Sequence, residues 1–346
     1  MCWLLSGPGG TLRNIELMMK TTLFSILRQS TANPRTEQAL DPPPIPVSSG
    51  GLRPWLSVPH MGILFMMLLS AVSLSAAPIK TLIVQGQSNG AHNMPVIGLE
   101  AKKILESSGL FTVEVATTPA KGQDMSGFKP NFSAYDLVVV NYDGDPWPAD
   151  TREALVKYVQ DGGGMLLFHS SDNAFANWKE FNEMIAVGGW GGRTAQTGPC
   201  LRLRDGKWVA LDVPGPGGSH GKARPYVVTT RDPEHPIMKG LPAEWLHVSD
   251  ELYDRLRGPA KNVDVLASAM TDPKTGGSGE EEPVLMAITY GKGRVFHSTM
   301  GHGTNQMHCV GFIVTLQRGA EWAATGKVTQ KVPADFPTAT ESKTRP

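Results

Sequence analysis

The stretch 162–171 constrains the fold of this chain more than any other. Three glycines are followed by a short apolar run at 165–168 and then by His169, Ser170 and Ser171. The glycines indicate a turn after a helix, and the apolar run is typical of a buried strand. In open α/β sheets ligands bind beyond the carboxyl ends of the strands, so the polar residues that follow this strand are expected to carry chemistry.

A second stretch near the end of the chain has the same design. A Gly-Lys-Gly turn at 291–293 precedes a predicted strand at 294–298, which leads into a polar loop that contains His302. Two strand ends are therefore expected to deliver two histidines, His169 and His302, to one edge of a sheet.

The composition excludes several classes of protein. The chain has 346 residues and 40% hydrophobic content, which is ample for a buried core. Its 32 basic and 32 acidic residues cancel, so no net charge attracts nucleic acid or an anionic membrane. The spacing of the three cysteines, Cys2, Cys200 and Cys309, is not that of a metal or redox motif. A single disulfide between Cys200 and Cys309 is an alternative if the protein is exported.

The first 77 residues are predicted to lie outside the folded domain. Residues 61–77 form an uncharged apolar run that ends in small residues and is short for a membrane span. A cleaved signal peptide is the preferred interpretation, and an uncleaved anchor is the alternative. Residues 1–60 are a disordered extension, or translation starts nearer Met61. In each case we expect the folded part to begin near Ile79 and to be exported, as a periplasmic or secreted protein.

From residue 80 onward the pattern alternates between strand and helix. Strands are predicted at 80–85, 111–117, 136–142 and 165–168, and helices at 95–108, 150–160 and 177–186. Such alternation predicts right-handed crossovers and a mostly parallel central sheet in an α/β protein.

The pattern changes after residue 199. Residues 199–230 predict a small antiparallel insertion at one edge of the sheet. Strands at 264–270, 284–290 and 294–298 and a helix at 307–324 complete the prediction. One domain over 79–327 is expected, followed by a disordered tail at 328–346.

Four stretches together resemble the ThuA-like (trehalose utilization) family, whose relatives have the class I glutamine amidotransferase-like fold. They are 162–171, 232–242, 250–253 and 283–302. The resemblance covers nearly all of 79–327 and implies a flavodoxin-like three-layer sandwich. The family's opening loop is usually rich in histidine, whereas the corresponding loop here, 89–94, contains only His92.

The relatives that cleave glutamine need a cysteine nucleophile on a strand-to-helix elbow. The corresponding region here is His169-Ser170-Ser171, so glutamine amidotransferase activity is not expected. A nucleophilic Ser170 is a weaker alternative, because the Gly-x-Ser-x-Gly pattern is absent. No glycine-rich loop has the dinucleotide fingerprint, and no nucleotide cofactor is expected.

The histidines suggest a metal or acid–base site. His92, His169 and His302 follow three strands that can open onto one cleft, where neutral imidazoles could bind a divalent metal such as zinc. Without a metal, a histidine there would act as an acid or a base. A loop hydrogen bond is the ordinary explanation for any single histidine. We interpret His235 and His247 as structural.

Other polar residues are expected near the same cleft, and the roles of His220 and His308 stay open. Glu251 is predicted to bind the metal or to abstract a proton, and the alternative for its neighbour Asp250 is a helix N-cap. A turn would explain Asp143 equally well, and Trp147 offers a flat face for a sugar ring. The predicted substrate-binding residues are Asn89, Asp143, Trp147, Ser170 and Tyr253.

The resemblance implies a role in sugar metabolism, alongside dehydrogenases that make 3-keto sugars. We therefore expect an enzyme that isomerises or cleaves an oxidised (3-keto) glycoside, with His169, His302 and Glu251 as catalytic residues. The alternative is a non-catalytic carbohydrate-binding or interaction module of the same fold. The expected partner is a small carbohydrate. No nucleic acid is expected to bind, and no membrane is expected to be bound once the signal peptide is cleaved. The formation of an oligomer is left open.

Overall fold

The computed structural model describes residues 77–346. The extension predicted for 1–60 and the signal peptide predicted for 61–77, apart from Ala77, lie outside the described residues. Within the described part, no helix combines the length and the apolar character that crossing a membrane requires.

Strands and helices alternate through the first half of the described chain and give way to strands in the second. The elements up to residue 185 are β1 (Ile79–Gly86), α1 (Met94–Ser107), β2 (Phe111–Thr117), β3 (Leu137–Tyr142), α2 (Ala149–Gln160), β4 (Gly164–Phe168) and α3 (Lys179–Ile185). They are followed by β5 (Cys200–Arg204), β6 (Lys207–Leu211), β7 (Ser219–His220), β8 (Arg224–Thr230), β9 (Glu244–Asp250), β10 (Tyr253–Asp254), β11 (Val263–Met270), β12 (Glu281–Tyr290), β13 (Gly293–Ser298), α4 (Thr304–Met307) and α5 (Val310–Thr325).

A mixed nine-stranded sheet forms the middle layer, in the order β2-β1-β3-β4-β13-β12-β11-β8-β9. The first five strands in this order are parallel, and the remaining strands pair antiparallel. The α/β class predicted from the sequence is confirmed. Strands β3 and β4 are buried on both faces, which explains their unbroken apolar runs.

Helices cover both faces of the sheet and give the three predicted layers. On one face, Leu105 of α1 and Phe312 of α5 belong to one buried apolar cluster. On the other face, Leu155 of α2 and Phe181 of α3 belong to a second cluster. Because ligand-binding loops of such folds lie beyond the carboxyl ends of the parallel strands, β1, β4 and β13 set the position of the site.

The antiparallel insertion differs from its prediction. Only β5 and β6 form a separate hairpin, whereas β8 joins the main sheet and β9 lies at its edge. Strand β9 was not predicted, because its inward residues Trp245 and His247 alternate with Leu246 and Val248, so that apolar residues do not mark one face. The inward His247 is nevertheless fully buried.

The disorder predicted for the tail at 328–346 is corrected by the structure. The backbone N–H of Leu246 donates to the carbonyl of Thr338 at 2.7 Å, and the N–H of Val310 donates to Lys343 at 2.8 Å. The ring of Phe336 lies 5.6 Å from that of Trp245. The tail therefore covers the free edge of β9, which would otherwise expose unpaired backbone groups. The disulfide left open for Cys200 and Cys309 is not formed, since both thiols are free and buried.

Candidate metal centre

Four side chains from four separate segments meet at the carboxyl edge of the parallel strands. His92 lies between β1 and α1, His169 directly follows β4, Glu251 directly follows β9, and His302 lies in the loop after β13. Each offers one donor atom, and these atoms all lie within 4.8 Å of one another. The structure thus brings together the three predicted metal ligands and the predicted carboxylate, in a group that could hold a metal ion.

The shortest contacts join His302 to its two neighbours. Its Nδ1 lies 3.1 Å from Nε2 of His169 and 3.1 Å from Oε2 of Glu251. The same carboxylate oxygen lies 3.8 Å from Nε2 of His169. The ring of His92 completes the group, with its centroid 5.3 Å from that of His169 and 4.9 Å from that of His302. All four residues therefore face one point.

The backbone fixes the ring of His169. Its Nδ1 lies 3.0 Å from the carbonyl oxygen of Thr299, which can only accept a hydrogen bond, so Nδ1 carries the proton. Nε2 then presents its lone pair to the centre, where the Tyr253 hydroxyl donates to it at 2.8 Å. His169 has a φ of +43°, a left-handed conformation that is costly for a residue with a side chain and is found at functional sites.

His92 is held by the Asn89 side chain. Oδ1 of Asn89 accepts the backbone N–H groups of Ala91 and His92, both at 2.9 Å, and this turn orients the imidazole. The ring is buried, and neither of its nitrogens has a hydrogen-bond partner among the described residues. Burial, followed by the neighbouring imidazoles of His169 and His302, lowers the pKa of His92 to about 4. The ring is therefore neutral at neutral pH.

Burial and mutual contacts also shift the pKa values of Glu251, His302 and His169. Burial by itself would raise the pKa of Glu251, but the hydrogen bond from His302 and the charges of His302, His220 and His169 together outweigh it and hold that pKa below its ordinary value. The same hydrogen bond raises the pKa of His302. Burial lowers the pKa of His169.

A fully buried carboxylate, Asp250, fastens two of the loops together. Its oxygens accept the backbone N–H groups of Glu251 and Gly301, each at 2.8 Å, and of His302 at 3.4 Å. It also pairs with Nε2 of His247 at 3.0 Å. The helix N-cap considered for Asp250 is thus wrong, because Asp250 ends β9 and joins that strand to the loop that carries His302.

An open cleft of about 360 Å³ lies beside the cluster. Asn89, Asp143, His220 and Tyr253 line it, together with the ring of Trp190. Nδ2 of Asn89 donates to the carboxylate of Asp143 at 3.4 Å, and burial raises the pKa of Asp143. Three of the five predicted substrate-binding residues therefore face the cleft.

His220, whose role the sequence left open, belongs to this cleft. It lies opposite Tyr253 in the short pairing of β7 with β10. Its Nδ1 donates to the carbonyl of Gly221 at 2.8 Å, and its Nε2 lies 3.7 Å from Glu251. A two-residue strand carries no periodic signal, so the sequence pattern could not place this histidine.

Two predicted substrate-binding residues lie elsewhere. Trp147 is 2% exposed and packs among the rings of Phe128, Tyr142 and Phe175, so its face is not free for a sugar. Ser170 is buried, and the nearest polar contact of its hydroxyl is the sulfur of Met94 at 4.0 Å. Both residues follow strand ends, but their side chains point into the core.

Four other histidines in the described part of the chain, His235, His247, His297 and His308, lie outside the cluster. His247 is the buried partner of Asp250. His235 packs against the ring of Trp322, and His308 bonds Glu100 on α1. His235 and His247 thus have structural contacts, as their sequence context suggested.

The fold and the cluster together define a class: a three-layer α/β domain with a histidine–carboxylate group at the carboxyl edge of its parallel strands. Residues 80–323 match the family model described as ThuA, trehalose utilisation. The chain belongs to this family, which confirms the resemblance drawn from its motifs. The family description indicates a carbohydrate-related role.

Two solved structures support the same assignment. The chain is 50% identical to a ThuA-like protein from Parabacteroides merdae ATCC 43184, with a TM-score of 0.76 over 78% of this chain and 98% of that one. A ThuA-like protein from Bacteroides uniformis ATCC 8492 is 20% identical, with a TM-score of 0.51 over 75% of this chain and 96% of that one. The similarity to the Bacteroides uniformis protein supports the fold assignment alone. No curated protein matches the sequence.

Proposed function

We propose that this protein is a carbohydrate-active enzyme whose His92, His169, His302 and Glu251 bind a divalent transition metal such as zinc. The proposed substrate is an oxidised sugar, a 3-keto glycoside, which the enzyme isomerises or cleaves. One observation carries the proposal: four donor atoms from four chain segments lie within 4.8 Å of one another. The cleft beside them, about 360 Å³, has room for a small ligand.

The spacing of the donors suits a small transition-metal ion. In a tetrahedral site with zinc–nitrogen bonds of about 2.0–2.1 Å, neighbouring donor atoms lie roughly 3.3 Å apart. The contacts among His169, His302 and Glu251 are 3.1, 3.1 and 3.8 Å. Imidazole nitrogens favour zinc and its neighbours over magnesium or calcium, which take oxygen ligands.

The protonation of the cluster also suits a metal. His169 presents a lone pair because the carbonyl of Thr299 holds its other nitrogen, and metal-binding histidines are commonly oriented by such a backbone carbonyl. His92 is neutral and buried, with both ring nitrogens unpaired among the described residues. An unsatisfied buried group costs about 1–3 kcal/mol, and a metal–nitrogen bond would remove this cost.

The cleft supplies the groups that would handle the substrate. A bound metal would polarise the carbonyl of the keto sugar. His220 is placed to take the proton from the adjacent carbon, because Gly221 holds its Nδ1 proton and leaves Nε2 as an acceptor beside Glu251. With a metal on Nε2 of His169, the Tyr253 hydroxyl, which otherwise donates to that nitrogen, would be free to donate to the substrate oxygen.

Elemental analysis tests the metal part of the proposal. Purified protein should contain zinc, or another divalent transition metal, in about equal amount to the protein, and His169→Ala and His302→Ala should both lose it. His308→Ala is the matched control, since this histidine bonds Glu100 outside the cluster and should retain the metal.

Incubation with a 3-keto disaccharide, with the products identified by mass spectrometry and NMR, tests the catalytic part. An isomerised or cleaved product that His220→Gln forms at least about a hundredfold more slowly would support the proposal, since general-base catalysis contributes about that much. A metal-free protein that binds sugars equally well without His169 and His302 would instead indicate a non-catalytic binding module.

We also propose that the enzyme acts outside the cytoplasm, on the strength of the apolar run at 61–77. N-terminal sequencing of the protein recovered from the periplasm or medium of an expressing cell tests this. A mature chain that begins near Ile79 would support export, and a full-length chain confined to the cytoplasm would contradict it.

A further inference from the structure

A second cavity shares part of its wall with the cleft beside the proposed metal cluster. We call the cavity of about 360 Å³ next to His92 and Glu251 the first lobe. A cavity of about 300 Å³ adjoins it, and we call this the second lobe. Asp143, Asn173 and Gly191 line both, so these three residues form the boundary that the two lobes share.

We propose that the second lobe is the subsite that holds the second sugar ring of the proposed 3-keto disaccharide substrate. The inference rests on the proposed function, which places the oxidised ring at the metal in the first lobe. The second ring, the group on the far side of the glycosidic bond, then lies in the second lobe.

The size of the lobes favours two linked rings over one larger ligand. Pockets for small molecules measure roughly 300–1,000 Å³, and each lobe alone lies at the lower end of that range. At the junction, a side chain at residue 191 would meet the carbonyl oxygen of Asn173 at 3.0 Å and Cβ of Ala176 at 3.3 Å. Gly191 also has a φ of +58°, so glycine suits this wall both sterically and conformationally.

The lining of the second lobe suits a neutral polyhydroxylated ligand. It combines the aromatic residues Phe175 and Trp178 with the polar side chains of Arg152 and Asn177. The guanidinium of Arg152 lies 5.8 Å from the ring centre of Trp178. Apolar rings with a few placed polar groups are typical of small-molecule sites, and the single acid, Asp143, is balanced by the single base.

The junction holds an unsatisfied acceptor. Oδ1 of Asn173 is buried and has no hydrogen-bond partner within the described part of the chain. Buried polar groups are nearly always paired. Because this oxygen has no accessible surface, a sugar hydroxyl close to the glycosidic bond would donate to it only after the side chain rotates toward the lobes.

The experiment fills the second lobe without touching the cluster. Ala176 lines this lobe and is only partly buried, so Ala176→Trp should block it while the domain still folds. Ala154→Trp, at an exposed alanine of α2, is the matched control. Arg152→Ala is a second variant that removes a polar wall without adding bulk. Zinc content and melting temperature establish that each variant is intact.

Isothermal titration calorimetry on the zinc-loaded protein compares two probes, a 3-keto disaccharide and the 3-keto methyl glycoside of the same sugar. The wild type and Ala154→Trp should bind the disaccharide at least about tenfold more tightly. Ala176→Trp should abolish this preference, Arg152→Ala should reduce it, and neither should change the affinity for the methyl glycoside.

The outcomes separate this inference from the proposed function. Equal affinity of the wild type for both probes, or an equal loss for both in Ala176→Trp, would overturn the second subsite and leave the first lobe as the whole site. If neither probe binds the zinc-loaded wild type, the proposed function fails and the subsite fails with it.

Discussion

Replacing Asp250 by asparagine should loosen the proposed metal centre without altering any of its proposed ligands. The carboxylate accepts three backbone N–H groups, from Glu251, Gly301 and His302, and pairs with the ring of His247. Asparagine keeps the shape but has one accepting oxygen, so about half of these contacts are lost. The ligand-bearing ends of β9 and β13 would then no longer share one anchor.

The magnitude follows from the burial of the pair. Asp250 and His247 have fully buried side chains, and removing one partner of a buried ion pair costs roughly 3–5 kcal/mol. For a domain of this size we expect the melting temperature to fall by roughly 6–12 °C. Loss of such an outer-shell partner also weakens metal binding by about 10- to 100-fold.

Two measurements check this expectation: calorimetric unfolding of the metal-free protein and zinc affinity by competition with a chelating dye. Asp232→Asn is the matched control, because Asp232 caps a turn through the N–H groups of Glu234 and His235, away from the cluster. If Asp250→Asn keeps both the zinc affinity and the melting temperature of the wild type, Asp250 does not hold the two loops together.

Three further predictions concern neighbouring features. Tyr253→Phe removes the hydroxyl that occupies the lone pair of His169, so zinc should bind up to about fivefold more tightly in a dye competition; weaker binding would contradict this. Burial alone would lower the pKa of His247, but its hydrogen bonds and charge interactions with Asp250 and Cys309 together raise it to about 9, so the folded state holds more protons than the unfolded state above pH 6.5. The unfolding free energy should therefore be undiminished below about pH 6.5 and fall, by at most about 3 kcal/mol, as the pH rises to 9, and His247→Gln should lack this slope in urea titrations. Deleting 332–346 should lower the melting temperature, because it uncovers Trp245 and the edge of β9; an unchanged value would show that the tail does not stabilise the domain.

The sequence predicted the parallel half of the sheet more accurately than the antiparallel half. The strand predicted at 111–117 coincides with β2, and the helix predicted at 150–160 begins one residue after α2 does. The strand β2 alternates apolar and polar residues, and α2 has a helical spacing of its apolar residues, so each pattern belongs to the element itself. By contrast, β9 is held by pairing with β8 and by the tail, and its buried histidine is a polar residue that a hydrophobic pattern does not count.

The site shows the same division between local and long-range information. His169 and His302 could be predicted because the first directly follows an apolar strand and the second lies in the short loop after another, and the register of β4 with β13 places those strand ends side by side. Trp147 also follows a strand, but the direction of its ring depends on packing against Phe128 and Phe175, which a single segment does not reveal. Asp250 is satisfied by backbone groups about fifty residues away, and this too has no local signal.

The order of residues in the loop from Thr299 to His302 suits the proposed metal centre. The carbonyl of Thr299 fixes the ring of His169, and the N–H of Gly301 donates to Asp250. Gly301 has a φ of +101°, and a Cβ there would lie 2.7 Å from the ring of Phe312, so the turn that brings His302 back to the cluster requires glycine. This short loop therefore supplies the donor atom of His302 and orients the ring of His169. Through Asp250 it also anchors β9, the strand that Glu251 follows. For this reason a change at Gly301 should disturb metal binding as much as the loss of a ligand.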